Sequence, residues 1–170
     1  MAVDSGRFRE LFGSFPTSVS IVTTLDRTGD PRGFTCNAVS AVSMDPPLLL
    51  ICVDKGSRSL PALQHSGVFV VHVLADGGQD ASERFAGKSA DKFAGHPWRP
   101  SAVAGGAPVL SDIALGHAEC TVVQRVEAGD HWILIGRVEA AEVFSGRPLL
   151  YHRRAYSVWD PTAELAGTPG

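Results

Sequence analysis

The amino-acid sequence predicts a mainly β protein, a closed antiparallel β-barrel with short flanking helices. Three observations carry that reading. About seven runs are rich in β-branched and apolar residues and have the length of strands. Glycine and proline, 18 and 11 of the 170 residues, interrupt the chain at short intervals, as a protein of many short elements requires. No helical stretch between strand candidates reaches the roughly ten residues that a parallel crossover needs, which argues against an α/β sheet. The chain reads as one domain over 1–160, followed by a small, polar, flexible tail over 161–170.

Each element follows from local chemistry. Over 4–15, Phe8, Leu11, Phe12 and Phe15 recur at i, i+3, i+4 and i+7 and form the apolar face of a short helix. Asp4 or Ser5 caps its start and Pro16 stops it. Ser18 to Leu25 is β-branched and reads as a strand, 26–33 as a turn, and Phe34 to Ser43 as a second strand of small and polar residues. Met44 to Pro47 breaks that pattern. Leu48 to Val53 is apolar on both faces and is expected to be central. Ser57 to Gln64 is a capped helical turn, and Val68 to Leu74 a fourth strand. From Gln79 to Phe93, short helical pieces at 81–85 and 90–93 suggest an exposed lid that ends near His96, Pro97 and Trp98. Ala118–Glu127 and Trp132–Phe144 are long strands joined by a hairpin turn at 128–131, and Leu149 to Trp159 is a last strand.

Composition narrows the function. Hydrophobic residues at 44% and charged residues at 19% supply a real core and exclude wholesale disorder. A net charge of −3 gives no footprint for nucleic acid or an acidic membrane surface. Cys36, Cys52 and Cys120 are widely spaced and form no CxxC pair, so neither a disulfide framework nor a zinc site is expected. The N-terminus has no charged stretch followed by an apolar signal core. Leu48–Val53 is the longest apolar run, far short of the roughly 20 residues that span a bilayer. The expected location is the cytoplasm.

Several motifs fail. Gly87-Lys88-Ser89 ends like a phosphate-binding P-loop, but the earlier glycine it needs is Ser82. There is no GxGxxG and no GxSxG. His117 and Cys120 point to opposite faces of a strand, so Cys120 is expected in the core and His117 at the surface, not together on a metal.

Three segments survive. Gly33 to Ser43 concentrates Thr35, Asn37, Ser40 and Ser43, whose hydroxyls and amides suit either a polar edge strand or a cup for a phosphate or ring edge. Asp54 to Ser59 places amides, serines and Arg58 at a helix start, which serves equally as a cap or an anion site. Gly129-Asp130-His131 sets a histidine beside Trp132 in a turn.

In order and spacing these segments resemble the short flavin reductases that supply reduced flavin in two-component monooxygenase systems. The resemblance runs from Phe8 to Trp159. It includes residues 15–24, 33–43, Asp45 to Leu49, Ser57 to Ser59, Phe69 to Leu74, Arg84 to Lys88, 129–131 and Pro148 to Tyr151. Pro16-Thr17 departs from the family, which commonly has a glycine there, and Cys36 occupies a variable position.

The resemblance implies a flavin-binding split barrel, FAD or FMN as the flavin, and NADH, with NADPH as a second donor, as the reductant. It implies a symmetric homodimer with sites at the subunit junction, and a separate oxygenase that receives reduced flavin. Gly33, Phe34, Thr35, Cys36, Asn37 and Ser40 would hold the ribityl chain and ring edge, and Cys52 and Val53 would lie along the ring. Arg58, Ser59 and Leu60 would sit near the phosphate. Arg84, Phe85, Ala86, Gly87 and Lys88 would close over the phosphate or adenosine part. His131, the expected catalytic residue, would sit by the nicotinamide to position it or handle a proton, and Tyr151, His152, Arg153 and Arg154 would line the pyridine-nucleotide side. Two alternatives share these residues: an FMN-dependent oxidase that keeps its flavin, and a flavin-binding barrel without turnover.

Overall fold

The computed structural model describes residues 2–89 and 91–160. Helix α1 spans Ser5–Gly13, and Asp4 caps it by accepting the Gly6 and Arg7 amides. Strands β1 (Thr17–Ser18), β2 (Ser20–Leu25), β3 (Pro31–Cys36), β4 (Val39–Met44) and β5 (Pro47–Asp54) follow. Then come α2 (Leu60–Ser66), β6 (Val68–Leu74) and α3 (Gln79–Ala86). Two-residue strands β7 (Arg99–Pro100) and β8 (Pro108–Val109) precede a long hairpin of β9 (Ala114–Ala128) and β10 (His131–Val143). A short hairpin, β11 (Leu149–His152) and β12 (Ala155–Val158), ends the described chain. Among the described residues no helix is long and apolar enough to cross a membrane.

Seven strands make one antiparallel sheet in the order β3-β2-β6-β9-β10-β5-β4. Alternation puts Val22, Ile51, Val53, Phe69, Val71, Cys120 and Leu134 on its buried face. A fully buried side chain of this size contributes about 1.5–3 kcal/mol, far more than an exposed ion pair. Gly136 permits the curl. A Cβ there would stand 2.6 Å from the Phe69 ring, and register shifts on either side bend β10 over that ring.

The other face is covered in two places. Ala81 and Phe85 of α3 pack with Val19, Ile21 and Leu74. Residues 99–110 strap across β6, where Ala104, Ala107 and Val109 rest on Val70. Polar groups fasten this strap. The Thr23 hydroxyl donates to Pro108 O at 2.5 Å, and the Ser101 hydroxyl donates to the Glu119 carboxylate. His72 Nδ1–H donates to Ile21 O, and Leu110 N–H donates to His72 Nε2, both at 3.0 Å. Those two bonds need the neutral ring, and burial holds its pKa down to about 3.

The mainly β architecture is as expected, but the sheet does not close into a barrel. β3 and β4 are its two edges and do not pair with each other. Asn37 and Ala38 join them outside strand geometry, and Ala38 O accepts the Cys52 amide at 3.0 Å. The link thus bonds toward β5 instead of back to β3, so the expected strand over 34–43 is two strands. β5 lies one place from an edge, not centrally, and Leu48 and Leu50 on its second face are only half-buried. The last strand is a hairpin that turns at Arg153–Arg154.

The stretch from Gln79 is no exposed lid, because Ala81, Ser82 and Phe85 are buried in the fold. Residues 91–93 are not helical, while Ala90 and the tail 161–170 lie outside the described residues. His117 is buried, against expectation. It pairs with His72 beneath the strap and stands against Phe144, ring centres 5.9 Å apart.

The His72 environment predicts an acid-sensitive fold. The unfolded imidazole takes a proton near pH 6.5, and the folded one refuses it until about pH 3. The contribution is therefore complete above pH 6.5 and is lost as pH falls. Denaturant titrations between pH 6 and 4 should show stability dropping by about 1.4 kcal/mol per pH unit from this residue. A His72→Gln variant that folds and keeps the same slope would contradict this account.

Candidate functional site

Two concavities flank the link between β3 and β4. The first, of about 130 Å³, lies beside the free edge of β3 and is lined by Arg32, Gly33, Arg58, Ser59, Lys92 and Phe93. The unpaired edge creates it. With no strand alongside, Gly33 O accepts the Ser59 hydroxyl and the Lys92 ammonium, both at 3.2 Å. Lys92 also donates to Phe85 O at 2.5 Å. Gly33 is required here, since a Cβ would stand 2.7 Å from the buried Phe85 ring.

Three cations line this cavity, and Asp26 holds one of them, Arg32, at 2.6 Å. Burial pushes Lys92 below the usual amine range, and the Arg58 charge pushes it the same way. An anion between Arg58 and Lys92 relieves both effects. The donor set fits a phosphate group.

The second concavity is an open groove of about 1030 Å³ between α1 and the β11–β12 turn, bordered by Phe12, Asn37, Ala38, Tyr151, Arg153 and Arg154. Pairing of Thr17 with Tyr151 and Ser18 with Leu150 fixes one side. The Arg153 amide donates to Gly13 O at 3.2 Å and ties the turn to the end of α1. That turn is strained. Arg153 and Arg154 have φ of 47° and 66°, a conformation that Asn-Gly adopts freely and that costs other residues roughly 1–2 kcal/mol each.

The sequence-predicted residues divide between these places. Gly33, Arg58 and Ser59 meet in the cavity, and Asn37, Tyr151, Arg153 and Arg154 meet at the groove. Phe34 is half-buried against the core, and Cys52 is half-buried at the seam, its thiol raised in pKa by burial. The side chains of Cys36, Val53, Leu60 and Phe85 are core, so only their backbone can meet a ligand. Burial raises the Cys36 thiol to about 11. The Thr35 hydroxyl is spent on Ser82 O at 2.6 Å, and the Ser40 hydroxyl on Ala41 O at 3.1 Å. Arg84, Ala86, Gly87 and Lys88 are exposed at the end of α3, and His152 is exposed beside the groove.

His131 lines neither concavity. Its Nδ1–H donates to Asp130 Oδ1 at 2.7 Å, and that bond holds the Asp130 carboxyl below its usual range. Lys92 and Arg32 also line the cavity and were not among the residues expected from the sequence. Phe93, which meets Phe85 edge-on at 5.0 Å, was the available signal, because an aromatic residue in a polar loop anchors the lysine before it.

Residues 12–160 match the family described as "Flavin reductase like domain". The chain is 47% identical over 161 residues to "Flavin reductase (NADH)" of Kitasatospora aureofaciens, a match covering 92% of this chain and 83% of that protein. It is 42% identical to the reductase subunit HsaB of a flavin-dependent monooxygenase of Rhodococcus jostii, covering 94% and 80%. Among solved structures, the Streptomyces globisporus NADH:FAD oxidoreductase SgcE6, in complex with NAD and FAD fragments, superposes with a TM-score of 0.86 at 33% identity, covering 96% and 99%.

The strained turn carries its own prediction. Arg153→Asn combined with Arg154→Gly should raise stability by about 1–2 kcal/mol, read as a Tm increase of a few degrees. A lower Tm in that double variant would mean the arginine side chains hold the turn together.

Proposed function

Because the chain belongs to the flavin reductase like family, we propose that the cationic cavity and the groove are the two ends of one hydride-transfer site. The chain is an NAD(P)H-dependent flavin reductase, and the reduced flavin it makes goes to a separate monooxygenase component. The single observation that carries the site assignment is the Arg58–Lys92 pair at the free edge of β3.

When bound, the flavin supplies the ring that accepts a hydride from the dihydronicotinamide. Arg58, Lys92 and Arg32 hold its phosphate end. Residues 33–37 run from the cavity to the groove and border the ring with their backbone, while Cys52 borders it from β5, one strand in from the opposite edge. Val53, Leu60 and Phe85 stiffen that wall from behind. Asn37, Ala38 and Tyr151 border the space for the pyridine nucleotide. The work of the protein is to hold two rings in contact and exclude water.

We also propose a homodimer, because the site is incomplete in one chain. His131 does not line the groove in its own chain, and among the described residues nothing bonds its Nε2, while Nδ1 is bonded to Asp130. A second copy brings it to the nucleotide. Apolar surface is available for that contact. Phe8, Leu11, Phe12 and Phe15 are 55%, 57%, 51% and 54% exposed, and Leu48, Leu50, Ile133 and Ile135 on β5 and β10 are half-buried. A stable homodimer needs about 2,000 Å² or more of such surface.

The test is anaerobic oxidation of NADH with free FMN, FAD or riboflavin in large excess over a protein that sediments as a dimer. Many turnovers per chain are expected. Lys92→Met should weaken FMN binding roughly 10- to 100-fold, the loss of a hydrogen bond to a charged group, and leave riboflavin binding within a few-fold. One turnover per chain would mean a retained flavin, and equal loss for both ligands would remove Lys92 from phosphate binding. Sedimentation at the mass of one chain with full activity would overturn the shared site.

A further inference from the structure

The groove carries a charge imbalance that hydride transfer does not require. Its charged borders are Arg9, Glu10, Arg153 and Arg154. Glu10 is already engaged by Arg7 at 2.9 Å. Among the described residues none of the three arginines at the groove takes part in an ion pair. Three unneutralised guanidinium groups at the mouth of one concavity make a local field that favours a multiply charged anion.

The backbone points the same way. Two successive arginines stay in left-handed conformations at a two-residue hairpin turn, where asparagine and glycine would be free of strain. The Arg153 amide bond to Gly13 O fixes that turn against α1, the helix that carries Arg9. Strain kept at the rim of a binding groove signals that the side chains are used. Guanidinium forks suit a phosphate dianion, which they grip through two parallel hydrogen bonds.

We infer that Arg153 and Arg154, with Arg9, read the 2′-phosphate of the pyridine nucleotide, so that the groove discriminates in favour of NADPH over what its ring contacts alone would set. This rests on the assignment of the groove to the nucleotide. The nicotinamide end is held at Asn37 and Tyr151, and the arginine rim receives the adenosine end. The 2′-phosphate is the group that distinguishes the two donors, and a rim of three cations without a free carboxylate is the surface that rewards it.

The experiment separates binding from turnover. Calorimetric titration of the flavin-free protein with 2′,5′-ADP and with 5′-AMP isolates the 2′-phosphate without any hydride transfer. The wild-type protein should bind 2′,5′-ADP at least tenfold tighter. Arg154→Gly should reduce that advantage severalfold, and Arg153→Asn with Arg154→Gly should bring the two affinities within about twofold. The ratio of NADPH to NADH kcat/KM should fall in step, severalfold in Arg154→Gly and at least about fivefold in the double variant. Thermal unfolding of each variant reports whether it remains folded. Equal affinities in the wild type, or a discrimination unchanged in the double variant, would overturn the inference. Failure of the reductase assignment has a different signature, since no NADH oxidation with free flavin would then occur in any of these proteins.

Discussion

Between Cys36 and Val39 the backbone passes from one edge of a seven-stranded sheet to the other, and the two edges never pair. Ala38 gives its carbonyl to the Cys52 amide, so the link is held toward β5 and away from β3. This leaves β3 with unpaired backbone groups, which must find partners elsewhere. At Gly33 O those partners are Ser59 and Lys92. Satisfying one strand edge therefore gathers a lysine, the start of α2 and Arg58 around a single small cavity. The same link opens at its other end into the groove at Asn37 and Ala38.

An open seam is useful only if its walls are rigid. The Phe69 ring over Gly136 fixes the curl of the long hairpin, and Phe85 against Gly33 fixes the back of β3. The neutral His72 ring ties the strap to the sheet, accepting from Leu110 N–H on one side and donating to Ile21 O of β2 on the other. Against this frame the left-handed Arg153–Arg154 turn stands out as strain that packing does not explain. Where a fold is otherwise consistent, such a departure marks the place where side chains face a ligand.

Much of this was legible in the residues. The runs read as strands at 18–25, 48–53 and 68–74 lie within two residues of β2, β5 and β6, and the turn at 128–131 placed the long hairpin, although β9 begins at Ala114, four residues before the expected Ala118. The α1 cap at Asp4 followed from its chemistry. Where reading failed, the cause was tertiary. Phe34–Ser43 alternates like one strand, and nothing local announces that Ala38 bonds across to Cys52. Phe85 sits in a polar stretch, and its burial depends on the missing side chain of Gly33. His117 looks like a surface residue until the strap covers it. For the candidate site, local chemistry and a family resemblance singled out Gly33, Arg58 and Ser59, which line the cavity beside β3. Lys92 escaped because its role arises from Gly33 and Phe85 carbonyls that are distant or inconspicuous in sequence.

The central claim is that the flavin occupies the seam between the two sheet edges. Amide hydrogen exchange, followed along the chain with and without saturating FMN, tests it most directly. Binding at the seam slows exchange over 33–38, 52–60, 85–89 and 91–93, where the unpaired edge, the start of α2 and the Lys92 loop converge. The strap at 99–110 keeps its exchange rates. Slowing confined to the strap, or spread evenly over the sheet with no excess at 33–38, would contradict the account.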